Sequence, residues 1–295
     1  MGRYSIKELE QLSGIKAHTI RIWEKRHRII EPSRTQSNIR YYSDEDLKKI
    51  INVSLLNNNG VRISAIAEMT DEELGQRVIE LSQRSNQAKI YIDQLLTYMI
   101  DLDEERFEAE IDMLEKKLGF ESVVLDVIYP FLEKIGILWL TGNVTPAQEH
   151  FISNLIRQRI IVAIAGLPVV PKTTLRVVLF LPENELHEIA LLFYHYIIRK
   201  NGFKTYYLGQ SVPYADIVAV CNTYRPHLLV TCFTSNPPPH ALGDYLNNLY
   251  KDFPNSRILA SGGLVLKNSF PFPPNLKVFQ NALELKNILQ GIKSN

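Results

Sequence analysis

The chain has 295 residues, with 33 Lys and Arg against 32 Asp and Glu, for a formal net charge of +1. That length allows two or three domains, and a composition 45% hydrophobic and 22% charged is that of an ordinary folded protein, which excludes a disordered or fibrous class. The longest strongly apolar stretch, Ile160 to Val170, is cut by Gly166 and Pro168 and is too short to cross a bilayer, so no membrane partner is expected. Cys221 and Cys232 are too few for a disulfide framework, and Met1-Gly2-Arg3-Tyr4-Ser5 lacks the apolar core of a secretory signal, so the expected compartment is the cytoplasm.

The near-neutral total hides a local imbalance. Between Lys16 and Arg40, the basic residues Lys16, Arg21, Lys25, Arg26, Arg28, Arg34 and Arg40 face only Glu24 and Glu31. Just before this patch, Ser5 with Glu8 three residues on forms a capping box, and Ile6, Leu9 and Leu12 share one face of a short helix. Gly14 ends it. A second helix from Lys16 turns Ile20 and Trp23 inward and leaves Lys16, His18, Thr19, Arg21 and Arg26 outside, which is the spacing of a helix-turn-helix. The polar turn formers within Pro32 to Tyr42 separate two short extended pieces, a hairpin wing, and Ser43 caps a further helix over Leu47 to Leu56.

After the capping pattern Thr70-Asp71-Glu72-Glu73, helical periodicity predicts helices over Glu73 to Arg84, Asn86 to Leu102, Glu104 to Leu118, Phe120 to Leu138 and Pro146 to Ala165, a four-helix-type bundle. Thr145-Pro146 supplies the cap and first position of the last helix, so Glu149 and His150 fall in or just beyond its first turn. Trp139 closes the preceding helix and could face them across the Thr141-Gly142-Asn143 loop. A plain bundle tryptophan is the competing reading.

From Thr174 strands and helices alternate, with strands over Leu175 to Leu181, Lys204 to Leu208, Leu228 to Phe233, Arg257 to Ala260 and Lys277 to Phe279. This pattern predicts a doubly wound parallel sheet. His187 stands in the loop leaving the first strand, at the edge where such sheets bind ligands, and Glu185 could hold one ring nitrogen and leave the other as a metal ligand. Gly262-Gly263 follows the fourth strand, which suits close ligand approach or a tight turn. No Gly-x-Gly-x-x-Gly follows the first strand, so a dinucleotide site is not expected. The organisation expected is a DNA-binding head over 1–75, a bundle over 76–170 and an α/β domain over 171–295.

Tyr4-Ser5-Ile6, Thr19-Ile20-Arg21-Ile22-Trp23-Glu24, Pro32-Ser33-Arg34-Thr35 and Ile39-Arg40-Tyr41-Tyr42-Ser43 together resemble the MerR family of winged-helix regulators. The resemblance implies operator DNA as partner, with Lys16, His18, Thr19 and Arg21 in the major groove and Arg40, Tyr41 and Tyr42 in the wing and on phosphates. Ser37-Asn38 replaces the usual Asn-Gly tip, and Trp23 stands where Tyr is frequent. Glu185-x-His187-x-x-Ala190, Leu208-Gly209 and Gly262-Gly263 resemble the B12-binding fold, which implies His187 as the lower axial ligand to cobalt, Glu185 as its partner, and Thr231, Gly262 and Gly263 around the nucleotide tail. Ala190 replaces a glycine, and its methyl crowds a tail buried between helix and sheet.

A MerR-like head, the Trp139 with Glu149-His150 motif and a B12-like domain, in that order, resemble the CarH/LitR class of cobalamin-dependent, light-responsive repressors. The resemblance implies adenosylcobalamin between bundle and sheet, self-association as dimer or tetramer, and loss of assembly on cobalt–carbon cleavage. The class carries a histidine after the bundle tryptophan, where this chain has Leu140, so His150 would have to take its role. Ala190 and Leu140 motivate an alternative: a regulator of the same fold that works without cobalamin under an antirepressor protein or another small ligand. A corrinoid methyl-transfer component is a third reading, against which the DNA-binding head argues. No enzymatic activity is expected.

Overall fold

The structure is a computed structural model that describes residues 4–34, 38–84, 88–140, 144–171, 175–267 and 271–293. Contacts divide the chain into two compact units, Met1–Leu155 and Ile156–Asn295, each considered by itself.

In the first unit, helix α1 (Ile6–Ser13) starts at the expected box: Ser5 Oγ accepts from Glu8 N at 3.3 Å, and the Glu8 carboxylate accepts from Ser5 N at 2.5 Å. It ends at Gly14, whose φ of +75° is the left-handed conformation that glycine adopts without strain. Helix α2 (Ala17–His27) has no side-chain cap of its own, and Glu10 of α1 supplies one by accepting from Ala17 N at 3.0 Å. The wing is a two-residue pairing of β1 (Ser33–Arg34) with β2 (Arg40–Tyr41). Asn38 takes φ +64° on the way to β2, a conformation Asn tolerates better than most residues, and its side chain accepts from Arg34 at 2.6 Å. Ile20 and Trp23 of α2 are buried, as their spacing predicted.

Helix α3 (Asp44–Asn58) leaves a Ser43–Asp46 capping box, and the short α4 (Ile63–Ala67) follows it. Next come α5 (Asp71–Arg84), α6 (Ala88–Asp101), α7 (Glu104–Leu118), α8 (Phe120–Val123), a π-helical turn (Val124–Ile128) and α9 (Tyr129–Leu140). The expected fourth helix is therefore broken by one wide turn, a common place for a helix to yield. Helix α10 (Pro146–Ala165) crosses the boundary between the two units. Leu95, Phe107, Phe131 and Ile152 are fully buried in the bundle core. An ion pair between Asp93 of α6 and Lys134 of α9 is buried with them; burial pushes the Asp93 carboxyl up, and the Lys134 ammonium offsets part of that. The head groups with the bundle because α3 packs on α5 and α6, and Lys48–Asp101 at 2.6 Å and Lys49–Asp71 at 2.8 Å join the same elements.

The second unit is the expected doubly wound sheet. Its elements are β3 (Arg176–Pro182), α11 (Ile189–Lys200), β4 (Lys204–Val212), α12 (Tyr214–Tyr224), β5 (Leu228–Cys232), α13 (Pro239–Asp252), β6 (Arg257–Ser261), α14 (Gly263–Leu266), β7 (Leu276–Val278) and α15 (Ala282–Lys293). All strands are parallel, in the order β4-β3-β5-β6-β7. Strand β3, buried along nearly its whole length, reads as a continuous apolar run for that reason. The second strand runs past its expected end at Leu208, because a register shift lets Leu179 pair with Tyr207 and Phe180 with Gly209, whose φ is +84°. The chain runs from β3 to β4 on one side and on to β5 on the other, so the carboxyl ends of β3 and β5 form the topological switch point of the sheet.

Gly262 has φ +104°, and a Cβ there would lie 2.4 Å from the Phe233 carbonyl oxygen. Gly262→Ala should cost at least about 2 kcal/mol of unfolding free energy, since both strain and backbone overlap must be relieved. Urea denaturation followed by circular dichroism checks this, and an unchanged midpoint would refute the packing described.

Candidate functional site at the switch point and the winged head

The loop after β3 carries Glu185 and His187, and the loop after β5 comes to meet it. Glu185 is fully buried. Its Oε2 accepts from the backbone N–H of Thr234, Ser235 and Asn236 at 2.9, 2.6 and 3.0 Å, while Oε1 accepts from the His187 ring Nδ1 at 2.5 Å and the His187 backbone N–H at 3.2 Å. The Ser235 hydroxyl reaches both oxygens at 3.2 and 3.3 Å. Burial works against the charge, but the hydrogen bonds from His187, Ser235 and Asn236 outweigh it and hold the carboxyl well below the usual carboxylate range. The third strand end joins through Ser211 of β4, which donates its N–H to the Glu185 carbonyl at 3.1 Å and accepts from Asn184 N at 3.1 Å.

This arrangement fixes the imidazole. With the Nδ1 proton given to Glu185, Nε2 carries the ring's lone pair, and the His187 side chain is 61% exposed. A carboxylate behind an outward imidazole is the arrangement that orients histidine ligands to metals. Among the described residues no group of three or more His, Cys, Asp or Glu is assembled to hold a metal ion. His187 is suited to contribute one ligand to a metal-bearing group rather than to form part of such a cluster.

A second carboxylate stands beside it. Glu188, almost fully buried, pairs with Arg157 of α10 and accepts from the Tyr207 hydroxyl at 3.0 Å. Tyr207 in turn stacks on His195, 4.9 Å between centroids and 11° from parallel, and His195 Nε2 meets Thr205 Oγ1 at 2.9 Å. Burial, with Arg199 nearby, lowers His195 to about 4, so it is neutral at pH 7. Sequence reading did not find Arg157, Glu188, Ser211, Ser235 or Asn236. The cluster Thr234-Ser235-Asn236 before Pro237 was the available signal, a run of turn formers directly after a buried strand.

The other expected site residues divide. Glu149 and His150 are brought together on α10, with carboxylate and Nδ1 at 2.7 Å, and the Thr145–Gln148 capping box starts that helix as expected. The side chains of Trp139 and Leu140, at the end of α9, lie outside the described residues. Thr231 does not join the others: register sets it against Ala260, on the sheet face that holds Leu229, Phe233, α12 and α13. Its hydroxyl, fully buried, has no partner. Gly262 is required where the chain passes the Phe233 backbone, and Gly263 is exposed.

On the head, His18, Arg21 and Arg40 are exposed and Thr19 and Tyr41 half-buried. Lys16 is exposed but bridges Glu10 at 3.0 Å, so part of its charge is spent on the turn. Tyr42 departs from its expected place on phosphates. It is fully buried, bridges Tyr4 through the backbone and donates its hydroxyl to Glu24 at 2.5 Å, because the strand pleat turns it inward where Tyr41 turns out.

Residues 4–73 match the model of the MerR HTH family regulatory protein, and residues 91–163 match that of a B12 binding domain. One chain thus carries a segment like the MerR regulators followed by a segment like a B12 binding domain. It is 26% identical over 271 residues, 90% of each chain, to the HTH-type transcriptional repressor CarH of Myxococcus xanthus. It is 24% identical to the repressor CarA of the same organism, over 82% of this chain and 81% of that one. The Methanosarcina barkeri monomethylamine corrinoid protein has a similar fold, with a TM-score of 0.55 and 13% identity over 68% of this chain and 98% of that protein. The matched B12 model lies on bundle helices α6 to α10, not on the loop that carries His187.

Two pH windows follow from these groups. Glu185, with its pKa held down, contributes stability that is complete above its ordinary value of 4.5 and is lost as pH falls below it. His195, held down to about 4 from 6.5, makes stability start to fall already below pH 6.5. Denaturant titrations from pH 7 to pH 4 should show that fall in the wild type and a shallower one in His195→Phe. Glu185→Gln should lose about 2–3 kcal/mol at pH 7, because the donors that need a charge keep only an amide oxygen. His187→Ala, truncating an exposed ring, should lose under about 1 kcal/mol.

Proposed function

We propose that the chain is a DNA-binding repressor whose operator affinity is set by a bound corrinoid of the adenosylcobalamin class. The observation that carries this reading is the His187–Glu185 pair: an outward imidazole aligned by a buried carboxylate at the switch point of a doubly wound sheet. The pair's place in one chain with a winged helix-turn-helix supports it, as do the repressor names of the relatives in Myxococcus xanthus. In this reading His187 would hold the cobalt through Nε2, Glu185 and the 234–236 backbone would keep that nitrogen aimed, and Trp139, Glu149 and His150 would be the bundle residues that help to hold the group. Bound there, the cofactor supplies a cobalt–carbon bond that visible light cleaves.

The residues of the head divide by chemistry. His18, Thr19 and Arg21 read base edges from α2, Lys16 and Arg40 meet phosphates, and Tyr41 supports the wing. Self-association into a dimer or tetramer multiplies head contacts on one operator, so loss of assembly in light is loss of repression. A second reading rests on Ala190 in the first turn of α11, where the B12-binding pattern has glycine: the same fold then serves a cobalamin-independent regulator under an antirepressor protein or another small ligand.

Absorption spectra of the full chain with adenosylcobalamin, before and after green light, test the reading in wild type and in His187→Ala. The expected result is a bound spectrum in wild type that changes on illumination, with the lower-ligand contribution lost in the variant; a spectrum indifferent to the substitution removes His187 from cobalt. Operator binding to DNA flanking its own coding region should be retained in the dark and lost in light. Binding that ignores both cofactor and light would leave the second reading. In the same assay Arg40→Ala should weaken binding at every sequence and lower the salt slope by about 1, whereas Arg21→Ala should cost about 1–3 kcal/mol mainly at one base position.

A further inference from the structure

The B12-binding resemblance implies a nucleotide tail between the sheet and the helix that follows His187, so the space under that helix decides whether a tail fits. The sheet offers two faces. Strand register separates them: Thr231 and Ala260 lie with Leu229 and Phe233 toward α12 and α13, while Cys232 pairs with Ser261 on the opposite face. Ser261 is met there by Tyr194 of α11, whose hydroxyl lies 3.4 Å from the Ser261 Oγ. This second face is therefore the one under α11, where Ala190 and Tyr194, four residues apart, share a helix face.

That space is filled. Tyr194 is 5% exposed, and its ring packs edge-on against Phe279 at 4.9 Å and 66°. Phe279 is itself fully buried, and α15 closes against α11. Burial, with the Cys232 sulfur nearby, pushes the Tyr194 hydroxyl up, as a group shut away from water requires. The hydroxyl of Thr231, the residue expected at the tail, lies on the wrong face to meet anything under α11. The axial apparatus at His187 thus fits a corrinoid, whereas the space for a buried nucleotide does not.

We propose that Tyr194 is a specificity-determining residue that fills the space under α11, so that this site favours corrinoids with no nucleotide tail over cobalamin. This inference rests on the corrinoid reading of His187 and narrows its ligand class. Ala190 acts in the same direction from one turn earlier. A tail-bearing corrinoid gains entry only when the Tyr194 ring leaves its contacts with Phe279 and Ser261.

Equilibrium titrations of the full chain with adenosylcobinamide, which lacks the nucleotide, and adenosylcobalamin test it, read by corrinoid absorbance in the dark. Wild type should bind the cobinamide at least about tenfold more tightly. Tyr194→Leu, which keeps an apolar side chain under α11, should raise cobalamin affinity about tenfold or more and change cobinamide affinity less than about threefold. Tyr194→Phe, which keeps the ring, should retain the wild-type preference. Ala190→Gly gives a second, milder opening if the Leu variant does not fold. Thermal melts provide a readout that needs no DNA: apo Tyr194→Leu should melt below wild type, and cobalamin should raise its melting point more than cobinamide does. Tighter wild-type binding of cobalamin, or equal weakening of both corrinoids in Tyr194→Leu, would overturn the inference while leaving His187 as a corrinoid ligand. Binding of neither corrinoid to any folded variant would overturn the corrinoid reading, and this inference with it.

Discussion

The Glu185 carboxylate, buried and charged at once, is the constraint on which the carboxyl edge of the sheet depends. Three successive N–H groups of the 234–236 backbone point at one of its oxygens, and the His187 ring and backbone at the other. A buried charge with this many donors is stabilised in its ionised form, and the donors would be orphaned without it. The loops that leave β3 and β5 are joined through that carboxylate, with Asn236 Nδ2 donating to the Asn184 carbonyl at 2.9 Å beside it. Through Ser211 the end of β4 is drawn in as well. The aim of the His187 ring is thus a property of three loops and not of the histidine's own neighbours.

Rigidity continues behind the ring. Glu188 follows His187 in the chain and is pinned by Arg157 and Tyr207, and Tyr207 rests on a neutral His195. Arg157 lies on the same helix as Glu149 and His150, seven residues beyond His150, about 10 Å along the axis. The ion pair ties α10 to the residue that follows His187 in the chain.

Periodicity and capping were legible in the sequence because they are local. Ser5-x-x-Glu8, Gly14 and Ser43-x-x-Asp46 act within one turn, and each appears where the chain spelled it. The apolar run of β3 gave the sheet and the loop after it gave His187 with Glu185. What stayed hidden was set by contacts distant in sequence. The donors to Glu185 come from about 50 positions later, and no spacing rule reaches that far. Tyr42 was misplaced because one residue of strand alternation separates a core tyrosine from a surface one, and a two-residue strand leaves no pattern from which to count. Thr231 was misassigned for the same reason: its identity suits a tail, but its register turns it to the other face.

The positions where this chain follows its family and those where it departs are separated physically. Glu185 and His187, which follow the pattern the sequence resembles, are loop residues that present polar atoms. Ala190, the departure from the B12-binding pattern, and Tyr194 are helix residues that occupy volume. Loop chemistry sets whether a metal can be ligated, whereas helix volume sets the shape of what carries the metal, so one can be kept while the other changes. Gly262 shows how easily the two are confused. A glycine there has the appearance of a ligand signature, yet the contact that excludes a side chain is the protein's own Phe233 backbone. The glycine reports chain crossing. In the proposed reading the shape of the ligand is set under α11, where the Tyr194 ring packs against Phe279.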